Sequence, residues 1–422
     1  MRKIIAHEPN DLMQNTCRFC DTILLHSFCD LGLSPPSNAF IRKAAMGEME
    51  AFYPLQAAVC EHCFLVQVPQ FETPAQIFGD YVYFSSFSDS WLSHCETFAL
   101  DAIKRFRLTK LSRVVEIASN DGYLLKFFDR AGIPVIGVEP AGNVAKAARA
   151  AGIHTMVEFF GTEFAKTLAA AEKHADLIIC NNVFAHVPDL NDFTRGLCTL
   201  LKPNGVLSIE FPHLQRLIEQ NQFDTIYHEH FCYFSFLTAR RVLAHHGLDV
   251  FDVFQLPTHG GSLRVLAQHS GSGTQPVTDR VAQLTEQEAN FGIERLSLYL
   301  DFDDKARAVK RDLLEFLINA KREGKTVAGY GAPAKGNTLL NYCGIRQDFV
   351  DYTVDRNPEK QGRYLPGTRI PVHAPEQLKL TKPDYVLVLP WNIKEEVMGQ
   401  NAYIRDWGGR FVIPIPSLRV MD

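Results

Sequence analysis

The stretch SRVVEIASNDGYLLKFF, residues 112–128, decides the fold class. Val114 to Ile117 read as a buried strand, Ala118 to Gly122 as a small polar turn, and the residues after them as a helix. IPVIGVEPAGNVAKAARAAG (133–152) repeats the theme as strand, acidic residue Glu139 and helix, while ADLIICNNVFAHVPDL (175–190) and LKPNGVLSIEFP (201–212) supply two more strands. Strands alternating with helices predict an α/β fold, a doubly wound parallel sheet with its ligand at the carboxyl ends of the strands. Ser119, Asn120, Asp121 and Gly122 fall at such an end, where backbone must approach a ligand closely. Glu139 ends the second strand, where a carboxylate can accept both ribose hydroxyls. Glu116 and Asn181 complete this candidate cofactor set. The G-x-G-x-x-G of a dinucleotide site is absent.

Working outward, 422 residues suffice for two to four domains, and 46% hydrophobic with 22% charged residues is an ordinary globular balance. A net charge of −5 argues against nucleic-acid binding through general basicity. The opening MRKIIAHEPNDLMQ has no long apolar run, so no signal peptide is expected. Apolar segments such as DYVLVLPW (384–391) are strand length, too short to cross a bilayer. A cytoplasmic protein with no membrane partner is expected, and in that compartment cysteines serve as thiols or metal ligands rather than disulfides.

Cys17 and Cys20 form one C-x-x-C, and Cys60 and Cys63 a second. Two such knuckles can place four thiolates tetrahedrally around one zinc ion, leaving no open position, so the expected zinc is structural.

FDTIYHEHFCYFS, residues 223–235, sets Tyr227, His228, Glu229, His230 and Tyr233 close together. Metal binding by His228 and His230 lacks a third ligand at convincing spacing. General acid–base work fits better: a histidine removes a proton and a neighbouring carboxylate orients its ring. The segment follows the SIEFP strand closely enough to reach the same crevice. Farther on, KTVAGYGAPAKGNTLLNY (325–342) reads as strand, glycine-rich turn and helix of a second α/β unit. There Gly329, Gly331, Lys335 and Gly336 could cradle a diphosphate, and Asp355 imitates a dinucleotide-binding acid. A packing turn in a degenerate unit is the bland alternative. Residues 275–322 carry helical spacing and are expected to form a helix pair that connects the two units.

VVEIASNDGYLL followed by GVEP resembles the S-adenosylmethionine (SAM) motifs of class I methyltransferases, with Ala118 where the usual loop has glycine. The double C-x-x-C, YVYFSSFSDSW (81–91), NNVFAHVPD (181–189), YHEHFCYFS (227–235), GYGAPAKGNTLLNY (329–342) and VDRNPEKQGRYLPGTRIPV (354–372) extend the likeness over nearly the whole chain. Together they resemble the SAM-dependent C-methyltransferases that act at C-3 of nucleotide-linked 4-keto-deoxysugars. The resemblance implies a class I, Rossmann-like methyltransferase core between a small amino-terminal zinc domain and a second Rossmann-like domain, with boundaries at 1–80, 81–246 and 247–422. The last domain would form the nucleotide-sugar side of the cleft. It implies SAM and structural zinc as cofactors, a nucleotide-diphosphate sugar as substrate, and a monomer or homodimer. It further implies that His230 is the base and that Tyr227, Glu229, His186 and Tyr81 line the same site. A zinc-containing, SAM-responsive binding protein, or a methyltransferase for another small molecule, are the competing readings.

Overall fold

A computed structural model of the chain describes residues 16–78, 86, 89–171 and 173–421. Its central sheet, labelled along the chain, comprises β1 (Val114–Ile117), β2 (Val135–Val138), β3 (Thr155–Met156), β4 (Ala175–Asn181), β5 (Leu201–Pro212), β6 (Leu248–Leu256) and β7 (Ser262–His269). The order across the sheet is β6-β7-β5-β4-β1-β2-β3. The first five strands run parallel, β7 is antiparallel to β5, and β6 is antiparallel to β7. Strand β1 is buried at every residue because helices cover both faces, which is why it reads as an apolar run rather than an alternation. Register aligns Asn181 of β4 with Glu210 of β5, so several polar residues converge at one carboxyl edge.

The expected boundary between residues 246 and 247 cuts this sheet. Its last two strands, β6 and β7, lie beyond that boundary and complete the sheet as an antiparallel pair. Without an intervening helix, they lack the strand–helix alternation that marks the other strands.

The amino-terminal sheet contains His26–Ser34, Tyr53–Val59 and Val66–Gln67, and it gains Cys232–Tyr233 from the histidine-bearing segment. Pairing of Cys232 with Gln67 and Tyr233 with Val66 builds that segment into the cysteine domain. The connecting region forms helices Asp279–Phe291, Leu296–Leu300 and Phe302–Arg322, so three helices replace a simple pair. Glu288 on the first is buried and accepts hydrogen bonds from the Phe236 and Leu237 amides, capping the helix Phe236–His245.

The carboxyl-terminal sheet has the order Val372–His373, Thr353–Val354, Val327–Tyr330, Tyr385–Val388, Arg410–Ile413 and Arg419–Met421. All neighbours are parallel except the last pair. This unit is tied to the amino-terminal domain by pairing of Ile41–Arg42 with Arg363–Tyr364 and by a 2.6 Å hydrogen bond from the Asn337 amide to the Ser37 carbonyl. No helix among the described residues is long and apolar enough to cross a membrane.

Candidate active site

Cys17, Cys20, Cys60 and Cys63 converge, with one ligand atom from each lying within 4.8 Å of the others. Each knuckle closes on itself: Asp21 N–H donates to Cys17 O, and Phe64 N–H donates to Cys60 O. Asp21 and Phe64, each just past the second cysteine of its pair, hold left-handed φ of 59° and 61°. That matched turn aims both sulfurs of each pair at one point. The Gln67 side chain donates to Cys17 Sγ at 3.3 Å, and its oxygen accepts from Arg18 N–H. The thiols act on one another: contacts from Cys17 and Cys63 pull the Cys60 thiol below the ordinary range. Contact with Cys60 pushes Cys17 above it, and contacts with Cys17 and Cys60 push Cys63 above it. A closed set of four cysteines fits structural zinc.

At the carboxyl edge of the central sheet, Glu116, Ser119 and Asn181 carry buried polar atoms without well-formed hydrogen bonds among the described residues. One oxygen of Asp121 is in the same condition. Such atoms normally have partners, so the set marks where a polar ligand fits. Burial pushes the Glu116 carboxyl well above its usual value, and the Tyr123 hydroxyl partly offsets this. Ala118 and Asn120 take left-handed φ of 55° and 49°, as the tight turn demands even without its usual glycine. Gly122 has φ of 79°, and a Cβ there would meet Ile153 at 2.9 Å. Glu139 accepts 2.9 Å bonds from the Asn120 and Ala141 amides, one on each oxygen. Its second lone pairs remain as acceptors suited to ribose hydroxyls.

Beside this crevice, His230 is buried, and its Nδ1 lies 3.0 Å from the Thr225 carbonyl while its Nε2 lies 2.8 Å from the Tyr227 hydroxyl. A carbonyl only accepts, so Nδ1 carries the proton and Nε2 presents its lone pair to the phenol. Burial, reinforced by His186, pushes His230 well below the ordinary histidine value, keeping the ring neutral. The His186 ring meets His230 edge-on at 4.6 Å, and its Nδ1 donates to the Glu229 carbonyl at 2.7 Å. Burial lowers His186 to about 4.

The Glu229 carboxylate does not meet these rings; both oxygens accept from the Asn38 side chain at 2.8 Å. Burial raises it to about 7, with Asn38 opposing. Alignment of His186 runs through the Glu229 main chain instead. His228 points away as well, with Nε2 3.1 Å from the Pro54 carbonyl and its ring between Tyr53 and Phe71. Tyr81 and its neighbour Tyr83 lie outside the described residues.

Trp391, Asp224 and Glu210, which sequence reasoning left out of the site, complete the far wall with Lys335, which it read only as part of a diphosphate cradle. Trp391 N–H donates to Asp224 at 2.7 Å, and Asp224 immediately precedes the residue whose carbonyl holds His230. Lys335 Nζ donates to Asn392 at 2.8 Å and lies 4.7 Å above the Trp391 ring. Burial lowers Lys335 to about 8, while the nearby Asp224 charge opposes the shift. Asp224 is itself pushed by burial to about 7, with Lys335 opposing. Asp224 stands within the histidine-bearing segment and could have been suspected as a third acid; nothing local links it to Trp391. Glu210, fully buried at the end of β5, accepts from Arg264 at 2.8 Å and from Thr258 at 3.1 Å. Burial alone would raise it, but His94 and Arg264 hold it below its ordinary value.

The sheet order and the acids along its carboxyl edge define a class I methyltransferase, an enzyme that uses SAM. A methyltransferase domain matches residues 91–253, a C-methyltransferase C-terminal domain matches 257–416, and a zinc binding domain matches 17–78. The chain is 36% identical over 406 residues to C-methyltransferase NovU of Streptomyces niveus, covering 96% of both chains. It therefore belongs to the C-methyltransferase family. A shorter likeness, 33% over 98 residues, links 22% of the chain to 40% of a ubiquinone biosynthesis O-methyltransferase of Ralstonia nicotianae. Magnesium protoporphyrin IX methyltransferase from Synechocystis aligns with TM-score 0.35 and 15% identity, over 42% of this chain and 83% of its own.

Proposed function

We propose that the enzyme methylates C-3 of a nucleotide-diphosphate-linked 4-keto-deoxysugar through an enolate. The observation that carries this reading is the neutral His230 ring with its Nε2 lone pair held against the Tyr227 hydroxyl. A carbon next to a ketone loses its proton only to a placed base, with a donor ready for the oxygen that takes up the charge. His230 supplies the base. As substrate enters, the Tyr227 hydroxyl exchanges its bond to His230 for one to the C-4 oxygen. His186 stands beside the pair and helps hold the developing charge, while Glu229 sets its position through the main-chain carbonyl. Bound SAM supplies an electrophilic methyl sulfonium. The Glu116-to-Asn181 edge and Glu139 would hold it, with Tyr81 a further substrate contact. C–H removal also explains why the site needs a buried neutral imidazole; an alcohol or amine nucleophile needs less help.

The test is solvent exchange at C-3, read by mass spectrometry with S-adenosylhomocysteine in place of SAM. His230→Ala is expected to lose exchange and methylation by about 10²–10⁴-fold while retaining SAM affinity. Deuterium entering C-3 at the parent rate would remove His230 as base. Loss of methylation with exchange intact would also contradict that role, leaving His230 to align the methyl transfer.

A further inference from the structure

The β6–β7 hairpin delivers a histidine to the carboxyl edge of the central sheet. Strand β6 is antiparallel to β7, which is antiparallel to β5, so β6 ends on the same edge as the parallel strands. Its turn, Thr258–Gly260, stands beside the carboxyl ends of β4 and β5. Thr258 Oγ1 donates to Glu210 at 3.1 Å, and His259 Nε2 lies 3.2 Å from the side-chain nitrogen of Asn182, the first residue after β4. The His259 ring also meets Trp91 edge-on, with centroids 5.5 Å apart.

The same turn is docked on the segment that carries His230. Gly260 O accepts from the Gln222 side chain at 2.7 Å, and Gln222 O accepts from the Thr225 amide and hydroxyl. The Thr225 carbonyl in turn holds His230 Nδ1. A Cβ at Gly260 would meet Gln222 and Trp391, each at 2.9 Å, so this close approach requires glycine. After burial and His186, the charges of His259 and Lys335 also act to hold His230 down.

His259 holds a left-handed φ of 54°, a conformation that a residue with a side chain adopts at a cost. A turn alone is better served by glycine, which follows at the next two positions. Loss of hydration to the surrounding protein lowers the ring to about 4, with Lys335 reinforcing, Glu210 opposing and His94 reinforcing. The ring is therefore neutral at ordinary pH. The Asn182 amide nitrogen only donates, so Nε2 accepts and Nδ1 carries the proton. That N–H has no hydrogen-bond partner among the described residues, and the side chain is exposed to incoming ligand.

We infer that His259 is a further catalytic residue, its Nδ1–H donating to the substrate's C-4 oxygen as a second donor beside Tyr227. The assignment rests on the enolate reading above. His230 takes the C-3 proton, the freed electron pair forms the C-3–C-4 double bond, and charge moves to the C-4 oxygen. That oxygen has lone pairs for two donors, and a neutral imidazole can polarise it while keeping its own proton. Methylation at C-3 then restores the carbonyl.

Glycine holds this φ without strain, and asparagine tolerates it while placing an amide N–H near the Nδ1 position. His259→Gly is expected to keep SAM affinity within about threefold of the parent. It should lower kcat, and C-3 exchange with S-adenosylhomocysteine bound, by about 10²–10³-fold. KM for the sugar should change less than kcat, and His259→Asn should recover at least about tenfold of the loss. Proton–nitrogen correlation NMR of protein with nitrogen-labelled histidine supplies a readout that needs no substrate. The ring signal missing from His259→Gly should be neutral and Nδ1-protonated at about pH 7. A charged ring, the Nε2–H tautomer, parent-rate exchange in His259→Gly, or an equal loss in His259→Asn overturns the role. Exchange absent from the parent enzyme with every nucleotide-linked 4-keto sugar tried would instead overturn the enolate reading, and this role with it.

Discussion

At the scale of single residues, Lys335 connects burial to pH. Removal from water lowers its ammonium to about 8, against the opposing pull of Asp224. The charge is present below that value and is lost as pH rises through it. If Lys335 meets the diphosphate, KM for the nucleotide-linked substrate should rise severalfold between pH 7 and pH 9. Lys335→Arg, which stays charged throughout, should flatten that limb. Initial-rate kinetics across the range decide the matter: a flat parent profile, or the same limb in the arginine variant, would exclude a titrating Lys335. The histidines show what a sequence can and cannot display. Crowding of Tyr227 to His230 was visible, whereas the outward direction of His228 and the Glu229 carboxylate was not. Their partners, Pro54 and Asn38, are more than 170 positions away in the chain.

At the scale of elements, the histidine-bearing segment is held from two sides. Its strand Cys232–Tyr233 extends the sheet beside the zinc knuckles, and Arg18, between two ligands, donates to the Pro188 and Val68 carbonyls. Zinc is therefore expected to bear on activity through alignment of that strand, from outside the proposed chemistry. Cys60→Ser is expected to cut methyl transfer at least tenfold, a scale set by small misplacements of reacting groups. SAM affinity should change less than threefold, because Glu139 and the Ser119 turn belong to the central sheet. Elemental analysis, calorimetry and turnover on the same preparation check this; zinc loss with unimpaired turnover would sever the link. The knuckles were legible because their ligand spacing is local. The β6–β7 pair was assigned to the next domain because an antiparallel ending carries no helix between strands. Likewise, the Asp224–Trp391 tie spans 167 positions and leaves no local pattern.

At the scale of the whole molecule, three units meet at the histidine-bearing segment, and each supplies something the others lack. The cysteine domain braces the histidine-bearing segment, the central sheet carries the polar edge proposed for the methyl donor, and the carboxyl-terminal unit presents Lys335 and Trp391. The central claim is carbon methylation next to a ketone, and the product itself tests it most directly. Enzyme, SAM and a panel of nucleotide-linked 4-keto-deoxysugars are incubated, and the product is located by NMR after mass spectrometry has found the added methyl. The account predicts one new carbon–carbon bond at C-3, with C-3 deuterium lost to solvent. A methyl group found on oxygen or nitrogen, or on carbon elsewhere in the sugar, would contradict it.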